Sequence, residues 1–269
     1  MAIDETGLIN GELYTIVINK DARGKKGSLA ALIKGTKGKD IATAISSQVD
    51  FATRMKIKEI TLDLANNMDW IVRQIAPNAI RTYDRFHVQK IVSNAVQTIR
   101  IKLRWEAIDE ENEAITKSKE LGVKFTPKIF SNGDTIKQFL ARSRYFLFKS
   151  QEKWGDSQKQ RAKILFREYP IIAKAYKYYI YFRNCYELNN KNSNFSMWIK
   201  EAYNSGIKEI ISAANTIERH LHGISNYFEN KATNAAIEGF HAKLKLFRQR
   251  TRGIVDKDFF FYRIINYFA

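Results

Sequence analysis

The sequence predicts a mixed α/β fold in which a strand-bearing opening is interrupted by a large all-α insertion. Two observations carry that expectation. The first ninety or so residues alternate short β-branched runs with turns, and the remainder is long, charged, aromatic-rich and mostly of helical period. Strands first and helices later, with one α-rich block, describe a sheet domain carrying a helical insertion.

Leu13-Tyr14-Thr15-Ile16-Val17-Ile18 reads as a strand from its β-branched and aromatic content. The turn Asn19-Lys20-Asp21 and the basic loop Arg23-Gly24-Lys25-Lys26-Gly27 lead to a partner strand over Leu29–Ile33, giving a hairpin. Ile41, Ile45 and Val49 recur every four residues and predict a helix. Ile60–Leu64 reads as a buried strand carrying Asp63, Asn67–Ile75 as a short helix closed by Pro77, and Ala79–Asp84 as another strand ending in an acid. Val88, Ile91, Val92, Ala95, Ile99 and Leu103 then form the stripe of a long amphipathic helix. Helices follow over Thr135–Ser150, Ser157–Tyr169, Ile171–Leu188, Phe195–Asn204 and Ile207–His222, with two more through Glu238 and around Phe259.

The 269 residues carry 45 Lys+Arg against 28 Asp+Glu, a formal net charge of +17. Such a surface attracts polyanions and raises their encounter rate. The 45% hydrophobic content supplies a core and excludes a disordered basic tail. No 18-residue apolar run exists, so a membrane span is not expected. Cys185 is the single cysteine, which excludes an internal disulfide and a multi-cysteine zinc site. Acidic residues follow Met1-Ala2-Ile3 at once, in place of a signal-peptide core, and a reducing cytoplasm is the expected compartment.

Nucleophile motifs are excluded first. There is no G-x-S-x-G, and Cys185 sits in a Tyr/Phe-rich helix where a buried, inert thiol is expected. Gly35-Thr36-Lys37-Gly38-Lys39-Asp40 is too short for a phosphate loop and reads as a turn. The acids say more. Asp4, Asp63 and Asp84 each lie in or at the end of an apolar strand-like stretch, where an uncompensated charge is costly. Each alone reads as a helix or turn cap. Three together also fit a Mg²⁺ site, since hard cations take oxygen ligands and pairs of such ions support phosphodiester displacement. Asp84 caps the helix after it, with His87 on that helix's first turn.

In the helix from Thr233 onward, Ile237, Phe240, Leu244 and Phe247 cluster on one side, with Glu238, His241, Lys245 and Arg252 nearly opposite. That second face is either a solvated helix surface or a metal-binding carboxylate beside bases that meet a phosphate backbone. Gly239 within a helix costs about 1 kcal/mol relative to alanine, a hint that something approaches closely. Lys245, Arg248, Arg250 and Arg252 are the candidate nucleic-acid contacts, made to phosphates without sequence specificity. A separate reading makes the Tyr176–Phe182 segment an aromatic stacking surface for RNA or a partner; core packing explains those residues more simply.

These residues also carry a resemblance. Asp4-Glu5-Thr6, Leu62-Asp63-Leu64, Pro77-Asn78-Ala79, Tyr83-Asp84-Arg85-Phe86-His87-Val88, Thr233-Asn234 and Glu238-Gly239 resemble, in order, the catalytic region of DDE transposases, specifically the bacterial ISL-three insertion-sequence family. The resemblance implies an RNase H-like core with a large all-α insertion before the C-terminal catalytic helix. Residues 1–108 and 223–269 would make the core and residues 109–222 the insertion. It implies Asp4, Asp63 and Glu238 as the catalytic, metal-binding triad with Mg²⁺, for which Mn²⁺ substitutes. Asp84, His87 and Asn234 would orient those acids, with further metal ligation by Asp84 and His87 left open. The implied activity is DNA cleavage at transposon ends by water, followed by attack of the freed 3′-hydroxyl on target DNA. Double-stranded DNA is then the partner, a homodimer is one assembly the resemblance allows, and the setting is the bacterial cytoplasm in association with the nucleoid.

The chain departs from the family pattern in three ways. The expected zinc-binding and helix-turn-helix modules do not precede Asp4, which predicts a shortened copy with little strand ahead of that acid. The usual asparagine after E-G-x is His241, and the usual Lys-Arg pair is Arg248-Gln249. The alternative reading is therefore a catalytically inactive, truncated remnant that only binds DNA.

Overall fold

In the computed structural model, residues 1–187, 191–251, 254 and 256–269 are described, with 191–193 and 230 described by backbone alone. The strands are β1 (Ala2–Ile9), β2 (Glu12–Ile18), β3 (Leu29–Lys34), β4 (Glu59–Leu62) and β5 (Ile80–Tyr83). Between β3 and β5 lie helices α1 (Gly38–Gln48), α2 (Phe51–Met55) and α3 (Asn66–Ile75). After β5 come α4 (Arg85–Glu120), α5 (Ile136–Arg142), α6 (Arg144–Leu147), α7 (Asp156–Glu168), α8 (Pro170–Cys185), α9 (Lys191–Tyr203) and α10 (Lys208–Arg219). The last helices are α11 (Leu221–Ser225), α12 (Tyr227–Asn230), α13 (Ala235–Arg250) and α14 (Lys257–Phe268). The chain forms two compact units, residues 1–88 with 220–269, and residues 89–219.

The first unit is built on one five-stranded sheet of order β3-β2-β1-β4-β5. β1, β2 and β3 are antiparallel neighbours, and β4 and β5 run parallel to β1. Only Ala2 and Ile3 of β1 lie ahead of Asp4, but the strand continues past it to span eight residues, including the polar run Asp4-Glu5-Thr6. Pairing with β2 from Ala2↔Ile18 to Ile9↔Glu12 holds those residues extended. The hairpin closes at Asn10-Gly11, both at positive φ (47° and 78°), as the right-handed twist of a two-residue turn requires. Side chains alternate along a strand, so Ala2, Asp4 and Leu8 share a face. That face carries the apolar cluster of Leu8, Ile16, Ile18 and Leu29 with Ile237, Phe240 and Leu244 of α13 and Phe260, Ile264 and Phe268 of α14. Half of α14 is thus core, while Phe259, Tyr262, Ile265 and Tyr267 stay exposed. At the other sheet edge, the His220 ring meets Tyr83 edge-on at 5.3 Å, and Asn226 Nδ2 donates to the Arg81 carbonyl at 2.9 Å.

The second unit is helical. The helix expected over Thr135–Ser150 breaks into α5 and α6, and a 3-10 turn at Gln151–Lys153 follows them. Ser143, between α5 and α6, returns its hydroxyl to the Phe139 carbonyl at 2.7 Å, a local bond that competes with the helical ladder. The helix expected over Ile207–His222 likewise divides at His220, which leaves helical geometry at φ −108°, ψ 11°. α8 opens on Pro170, whose missing N–H costs nothing at a first helical position, and ends at Cys185; Leu188 lies outside the described residues. Tyr176, Tyr179 and Phe182 are buried, with Phe182 4.7 Å from the Trp198 ring, so this segment is core and no stacking surface. Cys185 is fully buried, and burial pushes its thiol up to about 12. The 1% exposed Asp134 carboxylate binds Arg142, Arg161 (3.1 Å) and Asn132 (2.9 Å).

Candidate active site

Strand register assembles the site. In the parallel pairs Ala2 lies opposite Thr61, and Thr61 opposite Thr82. Two residues further along all three strands stand Asp4, Asp63 and Asp84. The three acids noted in the sequence therefore form one row across β1, β4 and β5, at the carboxyl ends of the two shorter strands.

Each acid has a different environment. Asp84 is 3% exposed and fully engaged. Its Oδ2 accepts from the Phe86 and His87 backbone N–H groups at 3.0 and 3.2 Å, capping α4, and from His87 Nδ1 at 3.2 Å. Its Oδ1 accepts the Asn234 backbone N–H at 2.9 Å, at the start of α13. Burial alone would raise its pKa, but the His87 and Asn234 hydrogen bonds hold it below the ordinary carboxylate value. Asp63 accepts at Oδ1 from both His87 Nδ1 (2.9 Å) and Asn234 Nδ2 (2.7 Å). Hydrogen bonds to Asp63 and Asp84 lift His87 to about 10, so it is an imidazolium at neutral pH.

Asp4 is the least compensated. Its Oδ1 accepts the Glu5 N–H at 2.8 Å, and its Oδ2 lies 3.6 Å from His241 Nδ1, beyond hydrogen-bond reach. Burial and then repulsion from Asp63 raise Asp4 to about 6. Burial and then the charge of Lys245 lower His241 to about 4, so at neutral pH the imidazole is uncharged and forms no ion pair with Asp4. Its Nε2 is buried without a hydrogen-bond partner, as is Asn234 Oδ1.

α13 carries the last acid. Asn234, Glu238, His241 and Lys245 follow i, i+4, i+7, i+11 on one helical face. Asn234 contacts Asp63 and His241 adjoins Asp4, so Glu238 lies on the face turned toward the row. The Glu238 residue is nonetheless exposed, and its carboxylate has no hydrogen-bond or ion partner among the described residues. Among the described residues, no three His, Cys, Asp or Glu side chains are already gathered tightly enough to hold a metal ion. Gly239 faces open space: a side chain there would meet no atom of the protein within 4 Å. The close approach inferred for it is therefore not made by the chain itself.

Lys245, Arg248 and Arg250 are exposed on α13 without acidic partners among the described residues; Arg252 lies outside the described residues. Lys245 and Arg248 line a cleft of about 660 Å³ with Gly7, Ile9 and Asn10 at the end of β1. Helical spacing puts His241 on the same face as Glu238, and the structure adds its neighbour across the sheet, Asp4.

A row of strand-end carboxylates, a helix carrying a further acid and a band of unpaired cations suit a protein that handles nucleic acid, and the matching family model, described as Transposase, covers residues 1–264. The chain belongs to the ISL-three family of DDE transposases. It is 23% identical over 272 residues to the transposase for insertion sequence element IS1001 of Bordetella parapertussis, a match covering 98% of this chain and 59% of that protein. No solved structure matches the chain. No helix among the described residues is long and apolar enough to cross a membrane.

Proposed function

We propose that this chain is the catalytic region of a DNA transposase that hydrolyses phosphodiester bonds at transposon ends and then joins the freed 3′-hydroxyl to target DNA. The observation that carries the reading is the aligned row Asp4, Asp63, Asp84, with the Glu238 helix fastened to it through Asn234. The strand order, with three antiparallel strands followed by two parallel ones, supports an RNase H-like core into which the helical unit is inserted.

The donor set fits a hard divalent cation. Burial and then repulsion from Asp63 leave Asp4 partly protonated near pH 6, Asp63 Oδ2 and the Glu238 carboxylate have no partner among the described residues, and Asn234 Oδ1 lacks one too. Asp4, Asp63 and Glu238 would hold Mg²⁺, with Mn²⁺ as substitute. The chemistry such ions supply when bound is activation of the attacking oxygen and stabilisation of the leaving one. His87 holds Asp63 against Asp84 while Asn234 occupies the same Asp63 oxygen, which presents the other. Asp84, with both oxygens engaged, orients and does not ligate. Lys245, Arg248, Arg250 and Arg252 bind the DNA backbone.

The test is cleavage of duplex transposon-end DNA with Mg²⁺ or Mn²⁺. Asp63→Ala should abolish nicking, and nicking equal to the parent would remove the metal-site assignment. A second reading, DNA binding without turnover, draws on the exposed, unpartnered Glu238. Calorimetry with Mn²⁺ separates the two. The catalytic reading requires binding heat that Asp4→Asn and Glu238→Gln remove, and the remnant reading requires none.

A further inference from the structure

A second feature of the sheet-bearing unit is not used by the acid row. Between α13 and α14 lies a cleft of about 380 Å³, lined by Lys243, Phe247, Arg250, Arg263 and Tyr267, with Gly24 of the basic β2–β3 loop at its rim. Three of its lining residues are cationic and none is acidic. Lys243 is held at the rim, where Nζ donates to the Gly24 carbonyl at 3.0 Å. The Arg263 guanidinium stands 5.3 Å over the Phe247 ring, whose centroid is 6.0 Å from that of Tyr267. The Tyr267 residue is 63% exposed, and its hydroxyl has no partner among the described residues.

We propose that this cleft takes a single unpaired nucleotide of the DNA strand, its base against Tyr267 and its phosphates on Lys243, Arg250 and Arg263. The charge selects a polyanion. The rings distinguish the occupant further: a paired base is shielded inside the duplex, whereas an unpaired one offers a planar face to an aromatic side chain. A cavity of this size between two helices suits one base and its sugar better than a convex duplex backbone. On α13, Leu246 and Phe247 lie eight and nine residues beyond Glu238, about 12 to 14 Å along the axis or roughly four base-pair steps. The inference rests on DNA being the substrate but not on the metal site, so the test is run in EDTA.

The probes are a single-stranded 12-mer carrying 2-aminopurine, and the same sequence as a blunt duplex. Wild-type protein should quench the single strand's 2-aminopurine fluorescence saturably. Tyr267→Ala should weaken single-strand binding roughly 5- to 150-fold, the range expected for one lost base stack, and remove the quench. Tyr267→Trp should restore both. Duplex affinity should change little with Tyr267→Ala and fall with Arg250→Ala. Unaltered single-strand affinity and quenching in Tyr267→Ala, or an equal loss for single strand and duplex, overturns the proposal. Because no cleavage is read, a failure here is separate from a failure of the Asp63→Ala nicking test.

Discussion

Asn234 and Asp63 are 171 residues apart in the chain and are joined by a 2.7 Å hydrogen bond from the asparagine amide to the carboxylate. Asn234 opens α13, yet its side chain does not cap that helix. It reaches across to the sheet instead, while its own N–H is taken by Asp84 at 2.9 Å. One residue thereby sets the distance between the acid row and the helix that carries Glu238.

Asn234→Ala should therefore act on stability and on the metal site together. The lost hydrogen bond to a charged group predicts a destabilisation of about 1.5–3 kcal/mol in urea titration. With Asp63 no longer oriented, Mg²⁺ affinity should fall about 10- to 100-fold by calorimetry. Unchanged affinity would show that Asp63 needs no such support.

Asp4 is predicted to weaken the metal-free protein at neutral pH. Its pKa of about 6 in the folded state exceeds the ordinary 3.8, so the folded protein binds the proton more tightly. That stability is complete below pH 3.8 and is lost as the pH rises through about 6. Asp4→Asn should then raise the melting temperature in EDTA at pH 7.5, by an amount reflecting roughly 2–3 kcal/mol. The difference should vanish below pH 4, and Mg²⁺ should stabilise wild type more than the variant.

His87 predicts a second window. Its pKa is raised from 6.5 to about 10, so the stability from its links to Asp63 and Asp84 is complete below pH 6.5 and fades as the pH climbs through 10. The wild-type advantage over His87→Gln in urea midpoint should be largest near pH 6 and lost above pH 10. A pH-independent gap between the two proteins would mean that His87 contributes packing alone.

The helical unit has its own sensitive point. Asp134 is buried beneath Arg161 and the largely exposed Arg142, and removing it deletes the hydrogen bonds its carboxylate accepts from both. Asp134→Ala should destabilise that unit by about 1.5–3 kcal/mol. The fluorescence of Trp154 and Trp198, both buried within the unit, reports the transition. A loss under 1 kcal/mol would contradict the assignment.

β-branched and apolar content revealed β2, β3, β4 and β5, of which β2 and β4 are buried along consecutive residues, and the apolar stripe revealed the start of α4. β1 escaped that reading, since Asp4, Glu5, Thr6 and Gly7 interrupt the apolar pattern and only pairing with β2 keeps them extended. Asn10-Gly11 was the local signal that could have disclosed that hairpin. The breaks at Ser143 and His220 were not legible either, because the apolar spacing continues through both while the main chain turns. For the site, apolar surroundings marked Asp4, Asp63 and Asp84 individually. Their alignment depends on strand register, and the meeting of His241 with Asp4 on how α13 crosses the sheet, neither of which a linear pattern records.

The chain leaves the sheet-bearing unit one helical turn after Asp84 and comes back at His220, whose ring rests against Tyr83. Departure and return bracket the same strand end. Everything between them can lengthen, shorten or be exchanged without any strand changing neighbours, which is the topological reason a block as large as residues 89–219 can be hosted by so small a sheet. Replacing that block with a short flexible tether is the corresponding surgical cut, one that spares the carboxylate row, Asn234 and the whole of α13.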